Sequence, residues 1–119
     1  MKINDVSKLS GLPISTLRFY ERKNLISDIF VQRDENNYRI YSEKIVEFLE
    51  DVKVLLSVGF SVEELSLLVN QQLNLSYEVK KELVEQKIKE IEEIQKRLKK
   101  SKKFLQATLE GKASFQTKC

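Results

Sequence analysis

Histidine and tryptophan are absent from the 119 residues, and cysteine, methionine and proline occur once each. Without histidine, no imidazole is available as an acid, a base or a metal ligand near neutral pH. A single cysteine, Cys119, rules out an intrachain disulfide and cannot by itself build a four-ligand zinc site. It reads as an exposed tail thiol, with redox sensing or a cross-link between subunits as the alternatives. No glycine-rich phosphate loop is present, since there are only three glycines in the chain. An enzyme would have to work with Asp, Glu, Lys or Tyr alone on helix faces, so no catalytic residue, metal or cofactor is expected. No apolar run approaches the roughly 18 residues of a membrane span. The start, Met1-Lys2-Ile3-Asn4-Asp5, lacks the apolar centre of a signal peptide, which predicts a cytoplasmic protein with no membrane partner.

Charge is plentiful, at 33% of residues, and it is unevenly spread. Residues 1–76 hold nine Lys/Arg against eleven Asp/Glu, and residues 77–119 hold twelve against seven. The first part is therefore slightly acidic. Any case for nucleic-acid binding there must rest on where the basic residues sit rather than on their number.

The apolar spacing predicts a mainly α chain. Ile3, Val6 and Leu9 fall on one helical face, with Asn4 or Asp5 available to cap. Gly11 ends that helix and Leu12-Pro13 turns the chain. Ser15 is a good N-cap for a second helix over about 15–23, which completes a helix-turn-helix. Residues 27–41 change character. Ser27–Arg33 resembles a strand, Asp34-Glu35-Asn36-Asn37 a turn, and Tyr38–Tyr41 a second strand, together a two-stranded wing. A helix over about 42–58 carries Ile45, Phe48, Leu49, Val52, Leu55 and Leu56 on one stripe and stops at Gly59. Ser61-Val62-Glu63-Glu64 has the pattern of a capping box and opens a helix over about 61–70. These elements make up a domain over 1–76. Beyond the polar stretch Gln71–Ser76, residues 77–110 read as one uninterrupted helix of roughly 51 Å at about 1.5 Å per residue. Val84, Ile91, Leu98 and Leu105 recur every seven residues, with Ile88, Ile94 and Leu109 beside them. That narrow seam, broken by Lys87, Gln95, Ser101 and Lys102, needs a partner, and the natural one is a second copy. Residues 111–119 read as a tail.

Two runs carry the functional signal. Thr16-Leu17-Arg18-Phe19-Tyr20-Glu21 and Asn37-Tyr38-Arg39-Ile40-Tyr41-Ser42 each set an arginine beside hydroxyl-bearing aromatics. In a helix-turn-helix, the second helix enters the major groove with its N-terminal residues near the base edges. Here those are Ser15 and Thr16, which discriminate bases weakly. Arg18 can fork onto a phosphate or a guanine, Tyr20 can place its hydroxyl on a phosphate, and Lys23 adds charge. The plainer alternative puts Leu17 and Phe19 or Tyr20 in the core and leaves Arg18 solvated. In the wing, alternation sets Tyr38 with Ile40 on one face and Arg39 with Tyr41 on the other. Arg33, Tyr38, Arg39 and Tyr41 bracket the turn, and the hairpin could meet phosphates through Arg39 and Tyr41, or insert into a minor groove, unless it is an ordinary surface one. The dense tract Lys96–Lys103 reads mainly as a solvated helix end where cations are favoured.

At these residues the chain resembles the MerR family of bacterial transcription regulators. The motifs that carry the likeness are Thr16–Glu21, Arg33, Tyr38–Ser42 and Gly59-Phe60-Ser61-Val62-Glu63-Glu64-Leu65, in that order. Asn37 stands where the family usually has glycine, and asparagine tolerates the left-handed turn needed there. The resemblance implies a winged helix-turn-helix followed by a long dimerisation helix in an antiparallel coiled coil. It implies DNA contacts from Arg18 and Tyr20 on the recognition helix and from Arg33, Arg39 and Tyr41 on the wing. It also implies a homodimer on a near-palindromic promoter operator, and control of transcription by bending and untwisting the duplex so that RNA polymerase meets both promoter elements. Metal-sensing members use several cysteines near the end of the long helix, which Cys119 alone does not supply. A separate drug-binding domain of the kind some members carry is not expected either. A small-molecule or redox inducer stays open. Two other readings compete. One is an excisionase-like or architectural DNA-bending factor. The other is a protein-interaction adaptor built on the coiled coil, which leaves both Arg-Tyr runs unexplained.

Overall fold

The computed structural model describes residues 1–70 and 75–112. Cys119, most of the 111–119 tail and most of the polar stretch before the last helix lie outside the described residues. Five helices and one hairpin follow in the order α1 (Ile3–Ser10), α2 (Ile14–Arg22), a 3-10 turn (Asp28–Phe30), β1 (Val31–Arg33), β2 (Arg39–Tyr41), α3 (Lys44–Ser57), α4 (Val62–Val69) and α5 (Tyr77–Leu109). Residue contacts divide the chain into two compact units, Met1–Lys81 and Glu82–Cys119. No helix among the described residues is long and apolar enough to cross a membrane.

The first unit folds around Val6, Leu17, Tyr20, Leu25, Ile26, Tyr41, Ile45, Leu49, Val52 and Leu65. The stripe foreseen on α3 buries Ile45, Leu49 and Val52, and Phe48, Leu55 and Leu56 pack against that core. Removing such side chains from water is worth about 1.5–3 kcal/mol each, which is why the spacing of apolar residues dictates the helices. At the end of α1, Gly11 takes a left-handed φ of 74°, and its amide donates to the Ser7 carbonyl. A residue with a Cβ would be strained there. Lys53 of α3 donates to the Ser10 carbonyl, so a cation meets the negative end of α1. At α4, Ser61 and Glu64 close a reciprocal capping box with both bonds at 3.0 Å.

Several expectations change. Helix α2 begins at Ile14, with Pro13 and not Ser15 in the cap position. The Leu17 amide closes the first turn on the Pro13 carbonyl at 3.1 Å, and Leu17 is thereby fully buried. Leu9 is exposed, and Ser10 takes the inward position instead. Its hydroxyl accepts the Leu12 amide at 3.2 Å, which satisfies the polar atom it buries. Helix α1 is capped by neither Asn4 nor a side chain at Lys2, although Asp5 accepts the Lys2 amide at 3.1 Å. The segment expected as a strand over 27–33 is a 3-10 turn followed by a strand of three residues.

The hairpin is antiparallel, with Val31 opposite Tyr41, Gln32 opposite Ile40 and Arg33 opposite Arg39. Strand β2 is also held on its other side. The Met1 amine donates to the Tyr41 carbonyl at 2.8 Å, and the Tyr41 amide to the Met1 carbonyl at 2.6 Å.

Helix α5 holds neither a glycine nor a proline. Of the expected seam, Val84, Ile88, Leu98, Leu105 and Leu109 are exposed, and Ile91 and Ile94 are half-buried.

Candidate nucleic-acid interface

The wing tip is fixed by short-range polar chemistry. Asp34 Oδ1 accepts the amides of Asn36 and Tyr38, both at 2.9 Å. The Asp34 amide donates to the Tyr38 carbonyl, also at 2.9 Å. Asn37 adopts φ 65°, the left-handed setting the turn demands. Arg33 Nη1 donates to the Asn37 carbonyl at 2.9 Å, so its guanidinium folds toward the tip.

Arg33 and Arg39 face each other across the hairpin, an arrangement that two like charges resist. The structure draws them apart. Arg33 turns to the tip, whereas Arg39 turns to α2, where its guanidinium pairs with Glu21. The same carboxylate accepts the Tyr41 hydroxyl. The Glu21 side chain is only 13% exposed, while that of Arg39 remains half open at 47%. Strand alternation thus holds as expected: Arg39 and Tyr41 share a face and meet on one acceptor.

Around this knot lies a hollow of about 370 Å³. Lys2, Ile3, Arg18, Arg33, Asn37, Tyr38, Arg39 and Tyr41 line it. A shallower recess beside it is lined by Arg18, Glu21, Arg22 and Arg39. Cations from the start of the chain, from α2 and from both strands therefore converge on one concavity, a setting that suits the oxygens of a phosphate. The Tyr41 hydroxyl registers both sides of this environment. Burial pushes its pKa up, and the guanidinium groups of Arg39, Arg18 and Arg33 pull it back.

The residues singled out from sequence divide into groups. Arg18, Arg33, Tyr38, Arg39 and Tyr41 come together at the hollow. Ser15 is exposed and Thr16 half-buried on α2, and neither lines the hollow. Phe19 is half-buried, with Arg22 and Lys23 over its ring at 5.9 and 5.8 Å. Lys23 also lies 3.6 Å from Glu63. Tyr20 and Tyr41 are core residues, 5% and 3% exposed. Burial pushes the pKa of Tyr20 up, against the pull of the Lys53 ammonium. Neither ring presents a broad surface, because a tyrosine ring gains more by joining the core than by standing in water. Tyr38, by contrast, is 64% exposed at the wing. Two participants escaped the sequence reading. Lys2 had no signal at all. Glu21 did have one, as the single carboxylate closing a run of hydroxyls and guanidinium.

Comparison with known proteins gives the family and the fold. The family model for MerR helix-turn-helix regulatory proteins matches residues 1–72. The transcriptional regulator CueR of Salmonella typhi is 40% identical over 95 residues, 77% of this chain and 67% of that protein. The regulator AdhR of Bacillus subtilis is 38% identical over 65 residues, 55% of this chain and 45% of its own length. Among solved structures, HiNmlR, a MerR family regulator lacking the sensor domain and bound to promoter DNA, superposes with a TM-score of 0.74. That match covers 91% of this chain and 86% of the other at 23% identity. The chain belongs to the MerR family of helix-turn-helix transcriptional regulators.

Proposed function

We propose that this regulator works as a cytoplasmic homodimer, whose two winged helix-turn-helix domains grip a near-palindromic promoter operator. One observation carries the DNA-binding part. In a domain with more acidic than basic residues over 1–76, Lys2, Arg18, Arg33 and Arg39 are gathered at a single hollow. Scattered surface cations would leave no such gathering, and a phosphate backbone is the ligand it suits. Ser15 and Thr16 at the start of α2 then face the base edges, and Tyr38 and Lys23 flank the backbone contacts. Tyr20 and Tyr41 serve by fixing α2 and β2 to the core. The relative HiNmlR, bound to promoter DNA in its structure, supports the reading.

The dimer follows from α5. Its 33 residues are long for a helix with so narrow an apolar stripe. Val84, Ile88, Ile91, Ile94, Leu98, Leu105 and Leu109 are proposed to zip against a second copy. Charge selects the direction of pairing. Residues 77–93 carry six Glu and four Lys, whereas residues 94–109 carry six Lys/Arg and no acid. Side by side in parallel, the basic halves would repel. Antiparallel, each basic half meets the other's acidic half. Two wings held at a fixed separation can then offset the roughly 1–6 kcal/mol needed to bend a duplex, by contacts available only in the bent form. RNA polymerase is the indirect partner, since the distortion alters how promoter elements are presented to it.

Fluorescence anisotropy with promoter duplexes at several salt concentrations tests this. Affinity should fall steeply with salt, by a slope of about 0.9 per phosphate contact. Salt-independent or absent binding by a dimeric protein would leave the coiled coil as the working part.

A further inference from the structure

The Glu21 carboxylate is out of keeping with its surroundings. A negative charge beside Arg39, within the recess that Arg18 and Arg22 also line, opposes the approach of phosphate. If these cations served only to attract DNA, the acid would be a defect. Yet it is nearly buried and accepts from two donors on β2, the Arg39 guanidinium and the Tyr41 hydroxyl.

We propose that Glu21 is a positioning residue for operator recognition, which locks the wing to the recognition helix through Arg39 and Tyr41. The inference rests on the reading that this face meets duplex DNA. Its physical basis is that the hairpin has only three residues per strand, too few to hold its own setting. Met1 and the buried Tyr41 ring anchor the base of β2, and the direct tie between the wing and α2 is left to Glu21. Glu21 belongs to α2, and both its donors belong to β2. With the tie in place, the spacing between Arg18 and the wing cations is fixed, and it matches one backbone geometry better than others. Without it, the same cations would settle on any phosphates within reach. Glu21 thus trades a little general attraction for discrimination.

The experiment compares two duplexes, one selected by the wild-type protein from a random-sequence pool and one of unrelated sequence, with Glu21→Gln, Arg39→Ala and the double variant. Glu21→Gln removes the charge and keeps an acceptor for the Tyr41 hydroxyl. It should bind the unrelated duplex as well as or better than wild type, because one repelling charge is gone. Its affinity for the selected duplex should fall, so that the ratio between the two drops by about tenfold or more. In the Arg39→Ala background, Glu21→Gln should add little further loss of discrimination, because the charged partner it positions is already missing. Glu21→Asp, which keeps the charge but is one methylene short, should lose discrimination without the gain on unrelated DNA. An unchanged ratio in Glu21→Gln, or fully additive losses in the double variant, overturns the inference. Failure of the wild-type protein to bind either duplex would instead sink the DNA reading itself.

Discussion

Arg18 is exposed on α2 and lines the hollow in which Arg33 is held by the Asn37 carbonyl and Arg39 by the Glu21 carboxylate. Arg18→Ala should weaken binding to many sequences alike and lower the salt slope by about one unit, measured by anisotropy. A loss confined to one base position would mean that it reads a base. The two buried tyrosines make a separate prediction about pH. Burial raises both above the ordinary 10.0, so the folded protein keeps these protons after the unfolded chain has released them. Their contribution to stability is therefore fully present below about pH 10 and is lost as pH rises through the raised values. Thermal midpoints above pH 10 should fall, and Tyr41→Phe should make that fall shallower. The tyrosines mark the limit of what residue types reveal. A hydroxyl beside an arginine looks the same in sequence whether it faces water or a buried carboxylate. Arg18 and the wing arginines were legible because charge must stay near the surface. The fate of Tyr20 and Tyr41 was decided by packing against residues distant in the chain.

Among the elements, the capping box of α4 follows the sequence pattern to the residue, since both of its bonds span three positions. Ser61→Ala should lower stability by about 1 kcal/mol, read from denaturant midpoints. The wing tip gives a contrasting case. Asp34→Ala removes the acceptor of two amides at an exposed turn, which costs about 0.5–1.5 kcal/mol per bond locally. Duplex affinity should fall while the thermal midpoint of the core barely moves. A midpoint that falls with the affinity would show that the tip is part of the cooperative unit. The helices and the α4 cap were readable because their determinants lie within four residues of each other. The start of α2 differs because a good capping side chain at Ser15 lost to the burial of Leu17, and the cap falls at Pro13, two residues earlier. The 3-10 turn at Asp28–Phe30 was hidden by the β-prone residues Ile29, Phe30 and Val31. Phe30 packs on Phe48, with ring centroids 4.9 Å apart, a tertiary contact that local propensity does not announce.

At the scale of the whole molecule, the proposed assembly depends on α5. Leu98 is 63% exposed in the single chain. Leu98→Asp would set a charge in the seam and should yield monomers by light scattering, with duplex affinity reduced because only one domain at a time can bind. Dimers of unchanged mass would refute the seam. The heptad repeat was legible because a regular spacing survives without any knowledge of tertiary contacts, whereas the identity of an inducer has no comparable signature. The lopsided charge of α5 has a consequence for cells that hold several regulators of this build. A sibling whose helix carried the opposite gradient would find acid against acid and base against base at this one's flank. Mixed pairs would then be discouraged without any change in the apolar stripe, and each regulator would stay insulated on its own circuit.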